Sequence, residues 1–107
     1  LTLAENLADI NGLSIAYRAY VRSLDGRPAP VIDGFTGSQR FFLAWAAMWR
    51  VKMRDGYLRQ WLLTLTHTPD EFRANGPVSH VPAFFEAFGV VPGDRLFRPS
   101  NRRVRLW

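Results

Sequence analysis

Four side chains in this 107-residue sequence have the type and spacing to do chemistry: Glu5 and Asp9 near the start, His67 and Arg73 further on. Glu5 and Asp9 lie in "AENLADINGL", four residues apart. On a helix that spacing puts both carboxylates on one face, where like charges repel by a few tenths of a kcal/mol. Burial raises the cost unless a cation stands close by. The first basic residue is Arg18, so the sequence offers no local partner. Two readings are open: a solvated helix face, or a metal site. In the second, one carboxylate binds the ion and the other orients a ligand histidine through its free ring nitrogen. His67 and Arg73 sit six residues apart on an irregular segment. They read either as a polar loop residue and a surface arginine, or as donors to a developing oxyanion and to a substrate carbonyl.

The elements that must carry these groups are helical. Leu3, Leu7, Ile10, Tyr17, Val21 and Leu24 recur near the 3.6-residue period and predict a helix over 3–24. Gly12 inside it suggests close packing at that point. "DGRPAP" is turn chemistry. A second helix is expected to start at a Ser38 cap and to carry Phe41, Phe42, Trp45, Met48 and Trp49. Such an aromatic stripe is core, a pocket wall, or both. After Asp55-Gly56 a third helix is expected over 57–65. Thr68-Pro69-Asp70-Glu71 fits a capping box and a short helical turn ended by Gly76-Pro77. Ser79 would cap a fourth helix, "HVPAFFEAF", with His80 an ordinary residue at its start and Gly89 its stop. The remaining "VVPGDRLFRPSNRRVRLW" reads as an extended surface strap, with a short strand allowed. Arg98, Arg102, Arg103 and Arg105 on it read as solvated or as holding segments together. The expected fold is therefore mainly α: a small helical subdomain of about four helices with an extended C-terminal tail.

Composition narrows the function classes. Hydrophobic residues make up 48%, with eight Phe, four Trp and three Tyr, so the chain carries a core and more aromatic surface than so small a domain hides. With no cysteine there is neither a disulfide framework nor a thiolate metal site. No apolar run approaches the ~20 residues needed to span a bilayer. The net charge of +5 is almost all arginine. Those arginines are scattered apart from the last four, which argues against nucleic acid as the partner. There is no His-Glu-x-x-His, no Gly-rich phosphate loop and no evident Ser-His-Asp arrangement. Two histidines and no cysteine cannot build a His2Glu zinc site around Glu5 within this chain alone. The start at Leu1, already in a helical pattern, reads as a fragment boundary.

"ENLADINGLSIAYRAY" resembles the Glu-Asn-x-x-Asp segment of neprilysin-type zinc metallopeptidases, which include the endothelin-converting enzymes and bacterial relatives. "FFLAWAAMWR" resembles the aromatic helix that follows in that family. "THTPDEFRANGPVSHVPAFFEAFGV" resembles its segment with His and, six residues on, Arg, and the closing "RLW" its terminal Trp. The motifs fall in order over essentially the whole chain. The resemblance implies that residues 1–107 are the C-terminal part of a zincin-like zinc metallopeptidase catalytic domain. The His-Glu-x-x-His helix would lie upstream.

By that resemblance Glu5 is a zinc ligand and Asp9 orients a zinc-bound histidine. His67 stabilises the tetrahedral intermediate, and Arg73 hydrogen-bonds a substrate carbonyl. Met48 and Trp49 line the pocket for a large apolar residue after the scissile bond. The implied cofactor is one Zn2+ ion, held mainly by residues outside this chain. The implied partners are a peptide substrate and the upstream half of the same polypeptide, with no nucleic acid. The lack of cysteine points to a bacterial member. The family implies an extracytoplasmic location, as a periplasmic, secreted or membrane-anchored enzyme. The 107-residue chain by itself is expected to be inactive and to self-associate through uncovered aromatic surface. The alternatives are a small basic helical binding module, for nucleic acid or an acidic partner, and a catalytically dead relative of the peptidases.

Overall fold

A computed structural model describes residues 2–105. It is all-helical, in the order α1 (Leu3–Ser23), α2 (Gly37–Met48), α3 (Asp55–Thr64), α4 (Asp70–Val78) and α5 (Pro82–Phe88), followed by a 3-10 turn at Ser100–Arg102. The mainly α expectation holds, with five α-helices rather than four, because the turn expected after Pro69 extends into the nine-residue α4. Among the described residues the tail forms no strand, and the only bridge is Ile32 against Phe35. That bridge closes a two-residue Asp33-Gly34 turn with both residues at positive φ, the turn type that Asp-Gly favours. Of the closing "RLW", Leu106 and Trp107 lie outside the described residues.

The core forms where α1 packs on α4, and α2 on α4 and α5. Leu13, Phe42, Val78 and Val81 are its buried centre, with Tyr17, Phe41, Trp45 and Phe84 packed around them. Tyr17 stacks on Phe42 and meets Phe41 edge-on, so the stripe read on α2 is core for its first half. Close approach occurs at Gly37 and not at Gly12. A Cβ at Gly37 would run into the Tyr20 hydroxyl and Ala29, whereas one at Gly12 would meet open space.

Four helix starts differ from expectation: α3 begins at Asp55, so Asp55-Gly56 opens the helix rather than breaking the pattern before it, and at the other three a side chain is used elsewhere. Thr36, not Ser38, caps α2, in a reciprocal box with Gln39. The Ser38 hydroxyl pairs with Tyr17 Oη across the α1–α2 contact. The expected box at Thr68 does not form; Pro69 is the N-cap of α4, and the Thr68 hydroxyl donates to Asn6 Oδ1 on α1 at 3.1 Å. Ser79 closes α4 instead of opening α5, which begins after Val81 with Pro82 in its first turn. Gly89, left-handed at φ 64°, stops α5 as expected.

α3 stands apart from this arrangement. None of its residues is buried, and Leu62 and Leu63 are 59% and 82% exposed. Its described polar tie to the neighbouring segment is Trp61, whose Nε1–H donates to the His67 carbonyl at 2.9 Å.

Candidate active site

The face of α1 that carries Glu5 and Asp9 is covered by the segment 66–73, which carries His67 and Arg73. Two acid–base pairs result, one helical turn apart. Arg73 meets Asp9 as a two-bond fork: Nε donates to Oδ2 at 2.7 Å and an Nη to Oδ1 at 2.8 Å. Both side chains are well covered, 17% and 14% exposed. Paired bonds of this kind are the strongest available to a carboxylate. The hydrogen bonds to Asp9 hold the Arg73 guanidinium above even its usual high pKa, against the opposing pull of burial. The guanidinium also lies over the Trp49 ring, 4.0 Å from its centroid. Asp9 therefore has a cation after all, supplied from 64 residues along the chain.

The second pair is looser. His67 Nε2 lies 3.1 Å from Glu5 Oε2, with the two side chains 38% and 40% exposed. A neutral imidazole makes this contact as the Nε2–H tautomer. Its Nδ1 is 3.4 Å from the Thr66 hydroxyl, too long to fix the ring firmly. The backbone around His67 is better held, by Trp61 on one side and by the Thr68–Asn6 bond on the other.

Met48 and Trp49, at the end of α2, line an open cavity of about 600 Å³ with Val51, Tyr57, Trp61 and Asp70. Met48 is 64% exposed, so the second half of the α2 stripe is a wall and not core. Two polar atoms of this wall, Trp49 Nε1 and Asp70 Oδ2, are buried without a hydrogen-bond partner among the described residues. Trp49 lies against Arg73, and Trp61 holds His67, so the wall is continuous with the two acid–base pairs. All six residues singled out from the sequence thus belong to one surface. Asn6, Thr68, Trp61 and Asp70 join them unannounced. Of these only Asn6 carried a signal, its place beside Glu5 in Glu-Asn-x-x-Asp.

A smaller cavity of about 270 Å³ lies behind the Asp9–Arg73 fork, bounded by Asn6, Thr68, Phe72, His80 and Arg98. His80 is more than an ordinary residue at a helix start. Its Nδ1 accepts the Val104 N–H at 2.8 Å and so ties the tail down. Burial, helped by Arg98 and Arg103, pushes its pKa below the ordinary 6.5. Arg98 donates to the Ser79 hydroxyl, and Arg103 donates to the Arg98 carbonyl and lies over Phe85. That part of the arginine cluster joins segments.

The donor chemistry fits zinc only as a shared site. Among the described residues no three His, Cys, Asp or Glu groups converge closely enough to hold a metal. Glu5, half exposed and held by a single contact, has an oxygen to give toward solvent, whereas the unpartnered Asp70 Oδ2 is buried in the cavity wall. Asp9 has both oxygens engaged by Arg73.

This all-helical unit, with its carboxylate pair and aromatic wall, is similar to a segment of the neprilysin-type peptidases. The model of Peptidase family M13 matches residues 1–104, and the chain belongs to that family. Endothelin-converting enzyme 1 of Bos taurus is 38% identical over 109 residues, covering 99% of this chain and 14% of that protein. Neutral endopeptidase of Lactococcus lactis is 30% identical over 107 residues, covering 100% of this chain and 16% of that protein. Among solved structures, Mycobacterium tuberculosis zinc metalloprotease ZMP1 in complex with inhibitor is 52% identical with a TM-score of 0.95, over 99% of this chain and 16% of that one. Its open state matches with the same TM-score of 0.95. The chain therefore spans about one-seventh of the length of the relatives it matches. Among the described residues no helix is long and apolar enough to cross a membrane.

Proposed function

We propose that this chain is the C-terminal part of the catalytic domain of a zinc-dependent endopeptidase that cleaves oligopeptides. The observation that carries this reading is the unequal use of the two α1 carboxylates. Asp9 is locked to Arg73, while Glu5 is left half exposed beside a single imidazole. In this reading Glu5 supplies one ligand to a zinc ion whose other ligands come from the rest of the polypeptide. Bound there, zinc supplies Lewis acidity toward water and the scissile carbonyl.

The chain's own residues do the rest. His67, on a pinned backbone and with a half-exposed ring, donates to the negative charge that develops on the scissile carbonyl oxygen. Arg73 uses the N–H groups not taken by Asp9 to hold a substrate backbone carbonyl. Asp9 orients a zinc-bound histidine of the upstream part and fixes the Arg73 fork. Met48 and Trp49 face the residue after the scissile bond, and an apolar wall of this size favours a large side chain there. The exposed leucines of α3 and the orphan polar atoms of the cavity wall are costly unless further groups meet them. The remaining polypeptide supplies those groups, so the 107-residue chain alone is inactive and self-associates. An extracytoplasmic location accords with the family.

The test is zinc content and peptide cleavage by the full naturally encoded protein, wild type beside Glu5→Ala. About one zinc per wild-type chain, lost together with activity in the variant, supports the reading. A wild type that binds no zinc overturns it and favours the dead-relative alternative.

A further inference from the structure

The peptidase reading gives His67 a role and leaves open what aims it. The ring has one contact of hydrogen-bond length, to Glu5, so its position depends also on the backbone. The contact that fixes this backbone from the α3 side is the Trp61 Nε1–H bond to the His67 carbonyl, 2.9 Å long and partly buried. Three further features bear on it. Tyr57 packs edge-on against Trp61 from one helical turn away, which holds the indole in place. α3 has no buried residue, so Trp61 has little to do for a hydrophobic core. The same indole lines the cavity with Met48 and Trp49, between the substrate wall and the histidine.

We propose that Trp61 is a positioning residue for His67: its indole N–H fixes the 66–68 backbone so that the imidazole meets the reacting carbonyl. The inference rests on the peptidase reading and deepens it. A donor that acts only by aiming another group affects the transition state and leaves ground-state substrate binding alone.

The experiment uses the full naturally encoded protein and measures kcat and KM on a peptide substrate. The variants are Trp61→Phe, His67→Ala and the double variant. Trp61→Phe keeps an aromatic ring and removes the donor together with the pyrrole half of the indole. Its kcat falls about three- to tenfold, the rate equivalent of one hydrogen bond's net worth, whatever the smaller ring does to KM through the cavity wall. In the His67→Ala background the same change has no further effect on kcat, because nothing is left to aim. Should Trp61→Phe fold poorly, benzothienylalanine at position 61 replaces N–H by sulfur at nearly constant shape, and the same kcat loss is expected. Unchanged kcat in an active, folded variant overturns the inference, and so does an equal loss with and without His67. Either result leaves the peptidase reading standing. A wild type without zinc-dependent cleavage removes both.

Discussion

Asp9 and Glu5 stand one turn apart on the same helix and meet the same covering segment, yet they are treated very differently. Asp9 is 14% exposed, grips Arg73 by two short bonds and belongs to the structure that joins α1 to α4. Glu5 is 40% exposed and touches His67 once, at 3.1 Å. Burial decides the difference. At Asp9 the neighbouring Ile10 and the α4 packing exclude water, so the carboxylate must be fully paired. One turn earlier the carboxylate is more open, and solvent shares its pairing with His67. A deep, satisfied carboxylate holds a framework together; a shallow, half-satisfied one is free to bind something else.

The contrast can be tested by changing each member in turn. The largest effect is expected at Glu5. With Glu5 proposed as a zinc ligand, Glu5→Gln in the full protein is expected to lower activity more than about 100-fold, since a ligand matters more than the outer partners, which are worth about 10–100-fold. Its melting temperature without metal stays near wild type, as expected for a half-exposed side chain. A metal titration with activity assays checks both.

Asp9→Asn comes next. It leaves the well-covered Arg73 with one poor acceptor, and we expect a loss of about 1–3 kcal/mol in stability, reduced from a fully buried pair by the remaining exposure. Urea unfolding measures it. Arg73→Lys should cost less stability, because the charge survives while the fork and the stacking on Trp49 do not. Its signature is a raised KM, about tenfold, from a poorer hold on the substrate carbonyl. Steady-state kinetics at saturating zinc reads this directly.

The smallest effect concerns His80, away from both pairs. Its folded pKa lies below the ordinary 6.5, so between those two values the unfolded chain holds more protons than the folded one. Stability is then complete above about pH 6.5 and declines as pH falls from there toward the folded pKa. Below both values the decline stops. His80→Asn keeps an acceptor for the Val104 N–H but does not titrate. Thermal melts of the two proteins between about pH 7.5 and 5 should show a steeper loss for wild type.

How much of this was legible from the residues follows the range of the interactions. The α1 bounds and the stop of α5 were readable because periodicity and Gly89 act within a turn or two. The carboxylate pair was readable as a question, but its answer lay 64 residues away, beyond anything spacing can reach. The capping errors have the same origin. Ser38 and Thr68 are good local caps, and each is outbid by a distant partner, Tyr17 and Asn6. Thr36 with Gln39 was equally readable, and its local signal prevailed. Trp61 and Asp70 were illegible as site residues because nothing in their neighbourhood marks them. Only the fold brings both to the wall that carries Met48 and Trp49.

Two carboxylates four residues apart are used differently, Asp9 paired twice with Arg73 and Glu5 once with His67. Zinc content and metal-free melting temperature, measured together on the full protein for Glu5→Gln and Asp9→Asn, test this difference most directly. Glu5→Gln is expected to lose the zinc and keep the melting temperature. Asp9→Asn lowers the melting temperature and weakens zinc without abolishing its binding. Equal loss of zinc and stability in both variants, or retention of zinc by Glu5→Gln, would contradict it.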